Sequence, residues 1–528
     1  MDFQHTKGTF ELAGKQFPRV TWYRQKGMRG LYICLLFVVL TSATNGYDSS
    51  MMNGLQTLEQ WRDYYHQPSP SQLGLLNSIW PVGSLVALPF VPYAADMLGR
   101  RGGVMVGCSI MLGGVALQSL GFTFAMFVSA RFFIGFGVAI AHGSSPLLIT
   151  ELVHPQHRAI YTAIYNTTWY MGSFLAAWLT FGTNKIHSDW AWRTPSVVQA
   201  LPSALQMIFI WFVPESPRWL ISRGKNEKAL RILADAHAAG DKMDEVVQLE
   251  YQEIRGTLKL EQELEGNSWS ELWGKPGNRH RLIILVSLGF FSQWSGNGLV
   301  SYYIHAVLNQ IGIEETTLQL LINGILQFTN ILVATGMCFF VDRLGRRTLF
   351  LISTGGMFVT YLVWTVCSAQ FVIHGSKSSA NAVVVAIFIY YVFYNTAWSG
   401  LLIGYSVEIL PYNIRAKGMT VLFLAIDLSL FFNQYINPIA LSRLSWKYYL
   451  FYCFWLLFEL FVVWKFYLET RNTPLEEIAK HFDGEGAIIG GAAANNKSRQ
   501  IAEEIDRVGG TIVDKDEKEP GLNVIASV

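Results

Sequence analysis

Charged residues are scarce in this chain. Asp, Glu, Lys and Arg make up 15% of its 528 residues and nearly cancel, leaving a net charge of +2. A soluble domain carries roughly a quarter charged residues. The near balance argues against nucleic acid or an acidic polymer as partner. Cysteine is also thin. Cys34, Cys108, Cys338, Cys367 and Cys453 all lie in apolar segments, with no CxxC and no Cys/His cluster. That pattern supports neither a disulfide scaffold nor a zinc site. His142, His154, His157 and His305 are scattered without metal-ligand spacing. No GxxxxGK[ST] occurs, so no phosphate-cradling loop of that type, and no ATP-driven pump, is visible. No catalytic cluster stands out, so an enzyme is not the expectation, and no cofactor is implied.

Apolar length is what the chain has. Leu31 to Leu40, Met105 to Val138, Ile283 to Phe291, Val383 to Phe393 and Tyr448 to Val463 are mostly apolar. A bilayer-spanning helix needs ~20 such residues. A water-soluble fold could not hide this many. The reading is an all-α membrane protein with twelve spans: about 30–50, 73–94, 104–122, 125–148, 160–181 and 194–213, then about 282–308, 317–341, 348–370, 382–408, 417–438 and 447–467. These give an N-terminal tail over 1–29, a six-helix half over 30–213, a charged linker over 214–280, a second six-helix half over 281–468 and a tail over 469–528. The linker reads as amphipathic helices at Lys225 to Ala239 and Asp244 to Leu264. The tail from Ala479 is Gly- and Ala-rich and reads as disordered. No cleavable signal precedes the first span. Arginines of the short loops fall on the side of the basic N-terminus, which puts both termini in the cytosol.

Three charged signatures occur twice. Asp96-Met-Leu-Gly-Arg100-Arg101 returns as Asp342-Arg-Leu-Gly-Arg346-Arg347. Glu151, Pro155 and Arg158 return as Glu408, Pro411 and Arg415. Glu215-Ser-Pro-Arg218 returns, weakened, as Glu469-Thr470-Arg471. The same order at the same span ends means a duplicated membrane unit. Duplicated bundles are how carriers build a substrate site at the bilayer midplane. Orientation needs only the cations, so the repeated carboxylates point to a cytosolic charge network that opens and closes as a gate.

These signatures, with Arg131-x-x-x-Gly135-x-Gly137, Pro146, Pro214-Glu-Ser-Pro-Arg218, Gln293 through Tyr302-Tyr303, and Glu469-Thr470, resemble the sugar porter family of the major facilitator superfamily over about residues 30–478. The runs Gln293 to Tyr303 and Asn433 to Ile439 resemble its fungal lactose-permease-like branch. The resemblance implies a monomeric carrier in the plasma membrane. Its two halves rock around a bound sugar, and protons serve as the coupling ion. A β-linked disaccharide, lactose or cellobiose, is the expected sugar. The alternatives are a facilitative hexose carrier and a membrane sugar sensor.

Asp48 is the acid that matters most. Deep in the first span, it costs about 2.5–3.5 kcal/mol on insertion scales unless paired or protonated. Arg131 in the fourth span is its natural partner, and the resemblance assigns proton coupling to that pair. Asp427 is a second intramembrane acid, either lining a cavity or bonding a neighbouring helix. A sugar needs amides that donate and accept, plus aromatic planes. The resemblance gives Gln293, Asn297, Tyr302, Tyr303 and Asn330 as sugar contacts, with Asn166, Trp398 and Asn433 as further candidates. Gln199 is a candidate on polarity alone. Departures from the family pattern are Met97, Ala159, Ala416 and Leu468, with Asn166, the shifted Asn297 and Ile403 at the expected sugar-facing surface.

Overall fold

A computed structural model of the chain describes residues 8–12, 15–264, 269–338, 344–471, 478 and 481–483. The first half contains α1 (Lys26–Thr57), α2 (Glu59–Tyr64), α3 (Pro70–Ala87), α4 (Phe90–Met97), α5 (Gly99–Leu120), α6 (Phe124–Leu152), α7 (Arg158–Thr183), α8 (Trp190–Val198) and α9 (Ala200–Phe209). The linker holds α10 (Pro217–Ser222), α11 (Asn226–His237), α12 (Glu245–Leu264) and α13 (Glu271–Gly274). The second half contains α14 (Pro276–Trp294), α15 (Asn297–Gln310), α16 (Thr316–Cys338), α17 (Arg346–His374), α18 (Lys377–Ala397), α19 (Leu402–Ile409), α20 (Tyr412–Leu444) and α21 (Lys447–Phe466). A hairpin of β1 (Thr9–Leu12) and β2 (Lys15–Pro18) precedes them.

Among the described residues, ten helical stretches are long and apolar enough to cross a membrane, and α3 with α4, bent by 54°, makes an eleventh. The twelfth is α7. It is long enough, but Tyr161, Asn166, Thr167, Thr168, Tyr170 and Ser173 dilute its hydropathy. It can be polar because it packs on α1 and, across the halves, on α16 rather than facing lipid alone. Local signals fix the ends. Ser69 accepts from the Gln72 amide while the Gln72 side chain accepts from Ser69 N at 2.8 Å, a capping box that starts α3.

The duplication is visible in the packing. In the first half α1 lies on α7, α3 on α6, α5 on α6, and α5 on α9. In the second, α14 lies on α20, α16 on α18, α17 on α18, and α17 on α21. Lipid supplies no hydrophobic drive between helices, so close approach matters. At Gly46 and Gly172, where α1 crosses α7, an added Cβ would collide with the carbonyls of Trp169 and Ala43. The halves meet along α3 with α20, α7 with α16, and α1 with α15.

Two terminal segments are docked. The apolar side of the hairpin, Phe10, Leu12 and Phe17, packs on Leu249 of α12. Near the other end of the chain, Asp483 forms a two-pronged pair with buried Arg281, at 3.0 and 2.8 Å, and Phe482 stacks beneath the guanidinium. The disorder expected from Ala479 onward therefore does not hold at Phe482 and Asp483.

Candidate functional site

Asp48 is buried in α1, and its carboxylate accepts from Arg131 of α6. The same oxygen, Oδ1, accepts from Gln199 Nε2 at 2.6 Å. Gln199 is in turn held by Gln118 of α5 at 2.9 Å. Four membrane segments thus converge on one buried acid. Gln199, a candidate on polarity alone, is thus held in this cluster. Tyr302 of α15 stands beside Ser49 and Gln434, within the field of Asp48 and Arg131. This brings the seventh span, from the other half, to the acid.

The seventh span is discontinuous. Gly296 has φ +98°, and Tyr361 lies where its Cβ would be, so the chain turns there and α15 starts afresh. Broken helices present backbone groups at the midplane of carriers. Around the break, Gln293 is partly exposed and Asn297 is buried. Asn297 Nδ2 reaches Ser292 O at 3.2 Å and the Tyr394 hydroxyl at 3.1 Å, while its Oδ1 is buried without a hydrogen bond among the described residues. Asn166 is exposed on α7. Asn330 of α16 accepts from Asn395 Nδ2 at 2.9 Å, and Asn395 accepts from the Tyr170 hydroxyl at 2.6 Å, so this chain of amides crosses the two halves.

Three further candidates are held by protein partners in this structure. Tyr303 is buried and its hydroxyl donates to Gln434 O at 2.5 Å. Asn433 donates to Gln293 O at 2.5 Å and accepts from Asn437 and Tyr452, which fastens α20 to the break. Trp398 is fully buried, with its indole N–H on Thr354 at 3.1 Å and its rings against Phe291 and Phe350. The setting is shared: each polar atom already has a protein partner in a tightly packed core. Asp427 of α20 accepts from Ser84 of α3 at 3.0 Å, a bond between the halves.

The repeated signatures build two matching networks. Gly99 and Gly345 have φ of +84° and +90° and lie under the carboxylates of Glu215 and Glu469. Glu215 accepts from Arg101 N at 3.2 Å, and Glu469 accepts from Arg346 N and Arg347 N at 2.8 and 3.1 Å. Each carboxylate thus sits on the electropositive N-terminus of a helix, α5 or α17. Burial raises the pKa of Glu215, and the amides of Ser216 and Arg101 oppose it. Arg100 pairs with Glu151 at 3.3 Å and Asp96 at 2.9 Å, and Arg346 pairs with Glu408 at 3.1 Å. Ser216 caps Glu151 as Thr470 caps Glu408. Arg101 and Arg347 reach Val213 O and Trp464 O. Asp342 lies outside the described residues. Arg415 reaches Leu410 O at 3.2 Å.

Arg158 departs from this scheme. It pairs with Glu250 of α12 at 2.5 Å, in the linker, and not with Glu151. Glu250 is fully buried and also meets His237 Nδ1 at 2.8 Å. Burial alone would raise Glu250, but His237 and Arg158 outweigh it and hold the pKa low. His154 packs edge-on against His237, and burial pushes it down to about 3.

The Sugar (and other) transporter family matches residues 34–482. The chain belongs to this family. It is a multi-pass membrane transporter with the major facilitator fold. Among curated relatives, the sugar transporter STL1 of Saccharomyces cerevisiae is 26% identical over 88% of this chain and 84% of its own. The high-affinity glucose transporter of Kluyveromyces lactis is 23% identical over 90% of this chain and 87% of its own. An inward-open structure of the xylose transporter XylE from E. coli superposes with a TM-score of 0.71 at 21% identity, covering 86% of this chain and all of that one. The sequence signals the reading missed were weak ones. Tyr170 is one of several polar residues along α7, and neither Asn395 nor Gln118 has a motif around it.

Proposed function

We propose that this sugar transporter is a proton-coupled importer of the plasma membrane, working by alternating access with both termini in the cytosol. The observation that carries the reading is the buried cluster of Asp48, Arg131 and Gln199. An ionised acid in that place is tolerable only while a guanidinium faces it. Protonation releases Arg131, and the acid becomes compatible with a rearranged bundle. Tyr302 ties this event to the broken seventh span, where Gln293 and Asn297, joined by Asn330 of the eighth span, offer amides to sugar hydroxyls. A solved relative in fold is described as a proton:xylose symporter.

At the end away from the linker, α1 holds α15 shut. Asn53 donates to Val300 O at 2.9 Å and accepts from Ile304 N at 3.1 Å, and Gln56 donates to Tyr302 O at 3.3 Å. At the linker end, the Glu151–Glu215 network joins elements of the first half, and the Glu408–Glu469 network joins elements of the second. This arrangement favours a form closed outside, with the cytosolic gate residues locked within each half.

For the sugar, the branch resemblance favours a β-linked disaccharide, whereas the named relatives are a sugar and a glucose transporter. Uptake of labelled lactose, cellobiose, glucose and xylose in a carrier-deficient host, with and without a pH gradient, decides both points. Accumulation of none of them above its outside level under an inward proton gradient would end the coupled reading.

A further inference from the structure

His305 of α15 lies near the end of the bundle away from the linker, where α2, α15 and α16 meet. Its hydrogen bonds fix its protonation state without appeal to titration. Gln319 of α16 donates through Nε2 to Ile313 O at 2.5 Å and to Asn309 Oδ1 at 2.6 Å, so its Oε1 faces His305. That oxygen lies 2.6 Å from His305 Nδ1 and can only accept, so Nδ1 carries hydrogen. On the far side of the ring, Asn309 Nδ2 at 3.1 Å and Arg62 Nη1 at 2.5 Å both approach His305 Nε2. Both are donors, and arginine has no acceptor. Nε2 therefore offers a lone pair, and the imidazole is neutral. Arg62 belongs to α2 of the first half, whereas His305, Asn309 and Gln319 belong to the second. The contact adds a charged clasp to the bonds by which Asn53 and Gln56 close the same mouth.

We propose that His305 is a second proton-binding site, separate from Asp48, and that a proton on it unlatches the external mouth. A hydrogen on Nε2 leaves Arg62 facing a donor of like charge, and the bond becomes a repulsion. Arg62 is the charged group that acts on His305. Glu59 and Asp63, on the same helix as Arg62, act on the arginine, and α16 contributes the neutral Gln319. External acid would then favour the outward-open form, the one that must take up both sugar and coupling proton. The assignment of this mouth to the outside rests on the orientation proposed above, but the latch itself does not.

The test uses full-length protein in nanodiscs, cysteine-free apart from spin labels at Gln67→Cys and Glu314→Cys, one on each half at the latched end. Distances are read from about pH 8 down to about pH 4, a range extended well below the ordinary histidine value near ~6.5 because burial and the facing Arg62 disfavour a charged imidazole. The expected result is a longer separation in acid. That shift should persist in Asp48→Asn and vanish in His305→Gln, whose amide can accept from Arg62 and donate to Gln319 at any pH. Arg62→Gln, which removes the repelling charge, should also lose the acid response, and it carries the test if His305→Gln does not fold. Widening that survives in His305→Gln and Arg62→Gln, or that disappears in Asp48→Asn alone, would overturn the proposal, as would its absence in the parent protein. Sugar uptake plays no part in this readout, so failure of the coupled-import reading would show up separately, as uphill accumulation by Asp48→Asn.

Discussion

Gln199 donates to Asp48 at 2.6 Å on the same carboxylate oxygen that Arg131 uses. Among the described residues no hydrogen bond reaches the second oxygen, and one atom carries both restraints. An acid held this way has a defined charged state and a defined route out of it. Asp48→Asn keeps the size and the polarity but cannot exchange a proton. It is expected to abolish accumulation against a gradient while leaving sugar counterflow in place. Gln199→Leu leaves the ion pair but removes one donor, and should reduce accumulation partially. Reconstituted vesicles with an imposed proton gradient measure both. Full accumulation by Asp48→Asn would remove the acid from coupling.

The glycines beneath Glu215 and Glu469 make a second prediction. A non-glycine residue in the left-handed region costs roughly 1–2 kcal/mol, and at Gly99 or Gly345 a methyl would also strike Glu215 or Glu469. Gly99→Ala and Gly345→Ala should each lower the melting temperature of the purified protein, followed by tryptophan fluorescence. Glu469→Gln should do less, because its amide oxygen still accepts from one of Arg346 N and Arg347 N, which use different carboxylate oxygens, so one of the two bonds is kept. A larger drop for Glu469→Gln than for Gly345→Ala would contradict the close-contact argument.

The linker cluster predicts a pH dependence. His154 titrates near 3 in the folded protein, chiefly through burial, against about 6.5 when free. Between these values the unfolded segment binds more protons than the folded one, so docking is strongest above pH ~6.5 and weakens as pH falls toward 3. Glu250, whose pKa is also lowered in the fold, adds loss of stability at the acid end. Limited proteolysis between α11 and α12, or at the hairpin, should speed up as pH drops from about 7 to about 5. His154→Phe should flatten the response. Equal cleavage rates across that range would sink the idea.

Sugar contact and scaffold can be told apart by kinetics. Asn330→Ala removes the acceptor of Asn395, whose amide takes the Tyr170 hydroxyl from the other half, and should raise KM about five- to thirtyfold, the loss of one or two hydrogen bonds at ~1 kcal/mol each. Asn433→Ala unfastens α20 from the seventh span and should lower thermal stability with a smaller effect on KM. Trp398→Phe should act likewise, through packing and the lost bond to Thr354. Initial uptake rates over a range of sugar concentration, beside melting curves, separate the two classes. A selective KM defect in Asn433→Ala would return it to the sugar surface.

How much of this was readable beforehand depended on the kind of signal. The charged repeats are legible because a carboxylate and two arginines in an apolar chain have few places to go. Their partners, Gly99 under Glu215 and Gly345 under Glu469, follow from the repeat itself. Asp48 and Arg131 stand out for the same reason. The polar residues were harder to sort. A buried Asn looks alike in sequence whether it binds sugar or a neighbouring helix, and Asn330 and Asn433 are both buried among protein partners. Arg158 seemed to belong with Glu151, but a linker residue 92 positions away takes it, and long-range pairing leaves no local pattern. The hairpin carried a faint signal, the alternation Thr9-Phe10-Glu11-Leu12 and Gln16-Phe17, submerged in a polar tail. Glu459, buried in α21 with neither carboxyl oxygen hydrogen-bonded among the described residues, was hidden by its apolar neighbours.

The grip of Asp483 on Arg281 sets a practical boundary for handling this molecule. Arg281 is almost wholly enclosed, with Nε on Ile409 O and Nη1 on Asn278 as well. Trimming the polypeptide upstream of Asp483 would strand a positive group next to Ile409, the neighbour of Glu408, which pairs with Arg346. Fluorescent reporters and affinity handles therefore belong downstream of Asp483, and a shortened version that still tolerates heat as well as the intact one would show that the clasp is dispensable.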